Sequence, residues 1–286
     1  MEEIKETESL WENPPTEDMI RKDRIAGHPS TRWAANRIYC YKETDSTNIR
    51  AKNLALQGAS HGTLVVAESQ TQGRGRRGRV WESLQGDSIY MTIILRPSIS
   101  PSKASMLTLV MAYSVAESLK ELYGEKSGNI QIKWPNDIVC NKKKVTGILT
   151  EMSAEVDQIN YVIIGVGLNL NFTEIPEELK EKATSLFLET GIKQERNQVI
   201  AKIMEHFEKD YENFFHSGNL KFLQEDYEKL LVNKNTQVRV LDAKGDYEGI
   251  ARGINEEGEL LIEKDGRIIP VYAGEVSVRG IYGYVE

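Results

Sequence analysis

Between Ile130 and Phe172 the chain presents four apolar runs, IQIKW, DIVCN, KVTGILTEM and NYVIIGVGLNLNF, separated only by short stretches such as Pro-Asn and AEVDQ. Runs rich in Ile and Val and bounded by turn-formers read as strands. Connections this short join antiparallel neighbours, because a parallel return needs a crossover of roughly a dozen residues or more. The segment therefore predicts hairpins within one sheet.

The flanks extend that sheet and cover it. RIYCY (Arg37–Tyr41), GTLVVAES and DSIYMTIILRP read as further strands, the last apolar on both faces as a buried central strand should be. Asp45, Ser46 and Thr47 are N-cap types ahead of a helical run that ends at Gly58, and a long helix runs from Pro101 to Tyr123 and stops at Gly124. Two more helices are expected from about Gln194 to Phe215 and from Leu220 to Leu231. Beyond Asn233 the texture changes to short strands broken by glycine turns, TQVRVLD, YEGIARGI, ELLIEK and RIIPVYAGEVSV, the pattern of a small all-β barrel. The expected class is α+β: residues 37–232 form a mixed sheet with helices, and residues 233–286 a small all-β C-terminal barrel. Residues 1–36, charged, aperiodic and carrying Asn-Pro-Pro, are expected to be a loosely packed arm with at most one short helix.

A net charge of −7 argues against a surface devoted to nucleic acid. Against that background GRGRRGR, Gly73 to Arg79, stands out as a local cationic cluster between two apolar strands. Glycines let backbone approach a ligand closely, and arginine forks match phosphate and carboxylate oxygens in bidentate pairs. A solvated loop would be the usual reading of a bare basic heptamer. Flanked by core strands, it reads instead as a wrapper for a small anion, and its like charges predict a loop, from about Thr71 to Trp81, that orders when a counter-charge arrives. No Walker lysine follows. Two cysteines, Cys40 and Cys140, have no metal-like or disulfide-like spacing, and neither a leader nor a membrane-spanning run is expected, so a reducing cytoplasm fits.

Three further stretches carry polar residues in unexpected places. KWPNDI (Lys133–Ile138) is by itself a turn, and Lys142, Lys143 and Lys144 a hairpin tip, but Lys144 opens an apolar strand from which an ammonium could be aimed. GVGLNLN (Gly165–Asn171) sets Asn169 and Asn171 among strand residues, where amides need partners. DSTN (Asp45–Asn48) is by itself a helix cap. In the order DSTN, Q-x-x-GRGRRGR-x-W, KWPND-x6-K-x-x-G, GxGxN, the set resembles the biotin protein ligases over about Tyr39 to Arg279.

That resemblance implies a catalytic domain with an SH3-like C-terminal barrel. It implies ATP, Mg2+ and biotin as the small molecules, with no dedicated metal cage. Ser46, Thr47, Asn48 and Gln70 are implied in the biotin pocket, with Arg74, Gly75 and Arg76 folding over biotin and its adenylate. Lys144 is implied as the catalytic lysine, and Arg79, Asn136, Asn169 and Arg279 on the ATP side. The acceptor implied is a lysine of the biotin carboxyl carrier protein or domain of acetyl-CoA carboxylase or a related carboxylase, and Asp137 is the candidate for taking its proton. Many members begin with a DNA-binding domain; the stretch ahead of Arg37 is too short and irregular for one, so neither DNA nor membrane is an expected partner, and a homodimer stays open. The rivals are a lipoate or octanoate ligase, whose motifs fit the arginine loop and KWPND less well, and a biotin-sensing regulatory protein.

Overall fold

The computed structural model describes residues 19–26, 30–79, 81, 83, 86–127, 129–242, 245–273, 277–280 and 285. Seven strands, β1 (Ile38–Thr44), β2 (Leu64–Gln70), β3 (Ser88–Leu95), β4 (Ile130–Lys133), β5 (Asp137–Cys140), β6 (Lys143–Ala154) and β7 (Ile159–Asn169), form one sheet in the order β1-β2-β3-β7-β6-β5-β4. Only β1 and β2 run parallel, joined by a helix as the crossover rule requires, and every other neighbour pair is antiparallel. The sheet is thus mixed, with the hairpins at β4 to β7 that the four apolar runs demanded. Every residue of β3 is buried, while β1 at the edge is half-buried to exposed between its buried ends Ile38 and Thr44.

Helix α1 (Lys22–Ala26) precedes β1, α2 (Thr47–Leu56) links β1 to β2, and α3 (Met106–Tyr123) follows β3. After β7 come a short helix, α4 (Leu186–Thr190), which no sequence pattern announced, then α5 (Arg196–Ser217) and α6 (Lys221–Leu230). Helix α3 stops where Gly124 takes a φ of 53°, a conformation that costs glycine nothing. Its buried Leu107, Val110, Met111, Val115 and Leu119 join Met91, Ile93, Ile164 and Val166 of the sheet, and Ile200, Met204 and Phe207 of α5, in one core. Each such side chain stabilises the fold by roughly 1.5–3 kcal/mol relative to exposure. The opposite face is covered in part by α2, whose Ala51 and Ala55 meet Val65, Ile94 and Ile163.

The C-terminal strands β8 (Gln237–Leu241), β9 (Tyr247–Ile254), β10 (Leu260–Lys264), β11 (Arg267–Val271) and β12 (Ser277–Gly280) form a separate antiparallel sheet, ordered β11-β10-β9-β8-β12 and consistent with the SH3-like barrel expected. It is joined to the large sheet at a seam. Trp134, just past β4, donates its indole N–H to the Gly258 carbonyl at 3.0 Å, and Val232 N–H bonds the Ile132 carbonyl at 3.0 Å.

The described part of the N-terminal stretch is packed, against the expectation of a loose arm. Ile20, Ile25 and Ala34 are buried in the main core. The reason is polar: Asn197 of α5 binds backbone on both sides of Ile20, Glu68 accepts the Ile20 N–H at 2.6 Å, and the Glu208 carboxylate accepts the N–H groups of Arg32, Trp33 and Ala34. These partners lie far along the chain, where sequence periodicity gives no hint of them.

Candidate active site

A cleft opens on the face of the sheet beside α2. Its floor is glycine. A Cβ on Gly165 would stand 1.9 Å from Asn48 Oδ1, and one on Gly147 or Gly167 would stand 2.6 Å from the Trp81 ring. The glycines of GVGLN thus keep a strip of sheet bare so that side chains from elsewhere can lie flat on it.

Ser46 occupies the N-cap position of α2, yet its hydroxyl makes no capping bond. The Thr47 N–H is met instead by Gln70 Oε1 at 2.8 Å, from the end of β2, and Gln70 Nε2 donates to Ser83 at 3.0 Å. Ser46 is buried with its hydroxyl relieved of the usual cap duty, and it lines the cleft. Asn48 is fixed by opposite partners: Oδ1 lies 2.8 Å from the Thr92 hydroxyl, while Nδ2 donates to Glu151 at 2.8 Å. The purely structural reading of DSTN as a cap therefore fails at Ser46 and Asn48.

Lys144 reaches the cleft through a β-bulge. Val139 pairs with Lys144 but Ile138 pairs with Thr146, so Val145 is an extra residue in β6. Since alternate residues of a strand share a face, Lys144 and Gly147 would otherwise point to opposite sides; the bulge turns Lys144 to the side of Gly147 and Leu149. Asn141 and Lys142, both at positive φ, make the tight turn before it. The Lys144 ammonium lies 2.7 Å from Asp137 Oδ1 and 5.2 Å from the centre of the Trp81 ring. Its backbone bonds the Lys182 carbonyl and the Thr184 N–H, which draws residues 182–184 alongside β6.

The arginine loop folds back on itself, with Trp81 N–H bonded to the Gly73 carbonyl and Gly75 N–H to that of Arg79. Arg74 and Arg76 are held by partners within the protein, which bare repelling charges would lack. Arg74 pairs with Glu151 at 3.3 Å, and Arg76 donates to Asn136 Oδ1 at 2.9 Å and to the Ala273 carbonyl of the small domain at 2.5 Å. Burial, with the like charges of Arg77 and Arg79, holds the Arg76 guanidinium below the usual arginine range, opposed by Asp137. Residue 80, within the loop expected to order on binding, lies outside the described residues.

Ser46, Thr47, Asn48, Gln70, Arg74, Gly75, Arg76, Asn136 and Lys144 therefore border a single cleft. Asp137 lies just beneath, holding Lys144 and accepting from the Asn136 amide at 3.1 Å. Arg79 is exposed at the loop's end. Asn169 is turned to the Thr184 carbonyl at 3.2 Å, and Arg279 stands exposed on β12 in the small domain. Of the residues just ahead of Arg279, Gly274, Glu275 and Val276 lie outside the described residues. Trp81 and Glu151, given no role from sequence, are part of the construction: Trp81 is bedded on the glycine floor, and among the described residues its indole N–H has no partner. The tryptophan that closes the arginine motif was the available signal for the first; nothing in a strand residue marks the second.

Lys133 is the other residue that sequence reasoning passed over. It is buried, and burial together with the cations Lys144, Arg279 and Arg76 lowers its ammonium to about 8, opposed by Asp137. KWPND is thus divided: Lys133 and Trp134 face the seam with the small domain, whereas Asn136 and Asp137 serve the cleft.

The sequence pattern of the Biotin/lipoate A/B protein ligase family matches residues 40–169, and that of the Biotin protein ligase C terminal domain matches residues 235–279. The bifunctional ligase/repressor BirA of Bacillus subtilis (strain 168) is 43% identical over 237 residues, which cover 82% of this chain and 71% of that protein. The biotin–acetyl-CoA-carboxylase ligase of Mycobacterium tuberculosis is 32% identical over 267 residues, 92% of this chain and 96% of that one. Among solved structures, the biotin protein ligase from Aquifex aeolicus in complex with biotin and ATP superposes with a TM-score of 0.75 at 33% identity, covering 86% of this chain and 99% of that chain.

Proposed function

Since the chain belongs to the biotin protein ligase family, we propose that it activates biotin with ATP as biotinyl-5′-AMP and transfers the biotinyl group to a lysine of a biotin carboxyl carrier domain. The observation that carries this reading is the convergence of Lys144, the arginine loop and the Ser46–Asn48 wall on one glycine-floored cleft.

In the first step a biotin carboxylate oxygen forms a bond to the α-phosphorus of ATP as the bond to the β-phosphate oxygen breaks and pyrophosphate leaves. Negative charge grows on the phosphate oxygens, and preorganised cations stabilise it most where water is excluded. Lys144, aimed by the bulge, meets the carboxylate and α-phosphate oxygens, while Arg76 and Arg79 face the adenylate and the departing charge. Asn136, Asn169 and Arg279 complete the nucleotide side. Asp137 and Glu151 are each already engaged with a cation, and among the described residues no three His, Cys, Asp or Glu side chains gather. A magnesium ion bound together with ATP would supply charge neutralisation there.

In the second step the acceptor amine attacks the acyl carbon and AMP leaves. A free lysine amine has a pKa near 10.4, so the attacking form must shed a proton. Asp137, whose partner Lys144 is drawn toward the phosphate, takes that proton. The carrier domain docks along an edge of the sheet. No described helix is long and apolar enough to cross a membrane.

Titration calorimetry with biotin and with lipoate tests the reading, followed by pyrophosphate exchange with each acid. Binding and exchange with biotin alone are expected. Exchange with lipoate but not biotin would assign the chain to the lipoate branch, and biotin binding without exchange to a sensing role.

A further inference from the structure

Lys133 ends β4 with 6% of its surface exposed, and its Nζ donates to the Val278 carbonyl of β12 at 3.0 Å. An ammonium taken out of water is costly even when its donors are used, and an apolar side chain of similar length would fill the seam without that cost. The charged groups that act on it are Asp137 of β5, Lys144 of β6, Arg76 of the loop and Arg279 of β12. Burial and the three cations disfavour its charged form, Asp137 favours it, and an entering polyanion would favour it further. Strand β12 lies at the end of its sheet with β8 as its one strand neighbour among the described residues, and Val278 immediately precedes Arg279. A bond to the Val278 carbonyl therefore supplies, from the large sheet, a hold that the small sheet provides on one side only. Arg76 also bonds the small domain, at the Ala273 carbonyl 2.5 Å away.

We infer that Lys133 is a positioning residue for the nucleotide: by bonding the Val278 carbonyl it seats the edge strand β12 against the catalytic sheet and presents Arg279 to the phosphates of ATP. The inference rests on the ligase reading given above.

The full-length chain, Lys133→Met, Arg279→Ala, the double variant and Lys133→Arg are compared by biotin titration and by the ATP KM and kcat of biotin-dependent pyrophosphate exchange. Lys133→Met is expected to keep the biotin Kd within about twofold and to raise the ATP KM about tenfold, an effect on nucleotide rather than biotin binding. Added to Arg279→Ala it is expected to change the ATP KM by less than about twofold, because two substitutions that break one shared path do not add. Lys133→Arg, which keeps charge and donor, recovers most of the loss. Full multiplication of the two losses overturns the inference by showing that Lys133 acts independently of Arg279. An unchanged ATP KM overturns it directly, and so does loss of biotin affinity in Lys133→Met, which marks general structural damage. A parent chain that neither binds biotin nor exchanges pyrophosphate overturns the ligase reading instead.

Discussion

Ile164 and Gly165 are consecutive residues of β7 that look to opposite sides of one sheet, and they have opposite duties. Ile164 is fully buried in the core with α3 and α5. Gly165 lies on the cleft side, where any side chain would collide with Asn48. On the helix-covered face a residue contributes by filling volume; on the cleft face this strip contributes by leaving volume open. The difference separates two kinds of failure, loss of the fold and loss of the site, along a single strand.

Substitutions can be chosen to break that separation. The largest effect is expected at Ile164→Ala, which should cost about 2–5 kcal/mol of unfolding free energy, the range for emptying a packed core position, while the remaining folded molecules bind biotin normally. Denaturant unfolding and titration of the folded fraction check both halves. Lys144→Gln should do the reverse, lowering the rate of adenylate formation about 10²-fold or more with little change in stability or biotin affinity, the scale for losing one donor to developing charge. Near-normal pyrophosphate release would remove Lys144 from the chemistry. Gly165→Ala is the sharper contrast: the added methyl displaces the Asn48 amide and should weaken biotin binding by about 1–3 kcal/mol, the usual cost of overpacking. An unchanged biotin Kd would show that Asn48 does not shape the pocket.

Both faces were legible in the sequence, but unequally. The apolar runs from Ile130 to Phe172 contained the hairpins because strand period and turn residues are local properties. The glycines of GVGLN were visible as a motif, yet their purpose depends on Trp81 and Asn48, which arrive from distant segments. The side on which Lys144 emerges depends on a bulge, and counting alternate residues along β6 puts it on the wrong face. Lys133 was unreadable for a related reason: a lysine at the end of a short strand is usually solvated, whereas this one is buried with its ammonium on the Val278 carbonyl of β12. What sequence cannot carry here is docking between segments far apart in the chain.

Arg76 joins the cleft face to the small domain, through Asn136 on one side and the Ala273 carbonyl on the other. Arg76→Gly removes both bonds and should release biotinyl-AMP about tenfold faster, as expected for about 1.5 kcal/mol lost from charge-assisted contacts. The freed mixed anhydride then reacts with exposed lysines on bystander proteins, which mass spectrometry detects. A variant that holds its adenylate as long as the parent, with equal protease protection of the loop, would falsify this role of Arg76.

The smallest effect is expected at the seam, where a lysine ammonium is buried at the join of the two sheets. The folded-state value for Lys133 is about 8, below the 10.5 of an exposed lysine, so between these limits the unfolded chain binds more protons than the folded one. Stability then rises with pH through that window. Below about pH 7 both states hold the proton, and the cost of the buried charge is present in full. From pH 7 to 9 the parent should gain about 1 kcal/mol relative to Lys133→Met, whose seam carries no titrating group. The difference between the two unfolding curves isolates this one residue, since the other groups titrate in both chains. Bound ATP brings anionic phosphate toward the cations around Lys133, favours its charged form and should flatten the slope. A difference that stays constant from pH 7 to 9 would mean that the ammonium is adequately solvated or paired in the folded chain, and the seam would then differ from the core in composition but not in energetic character.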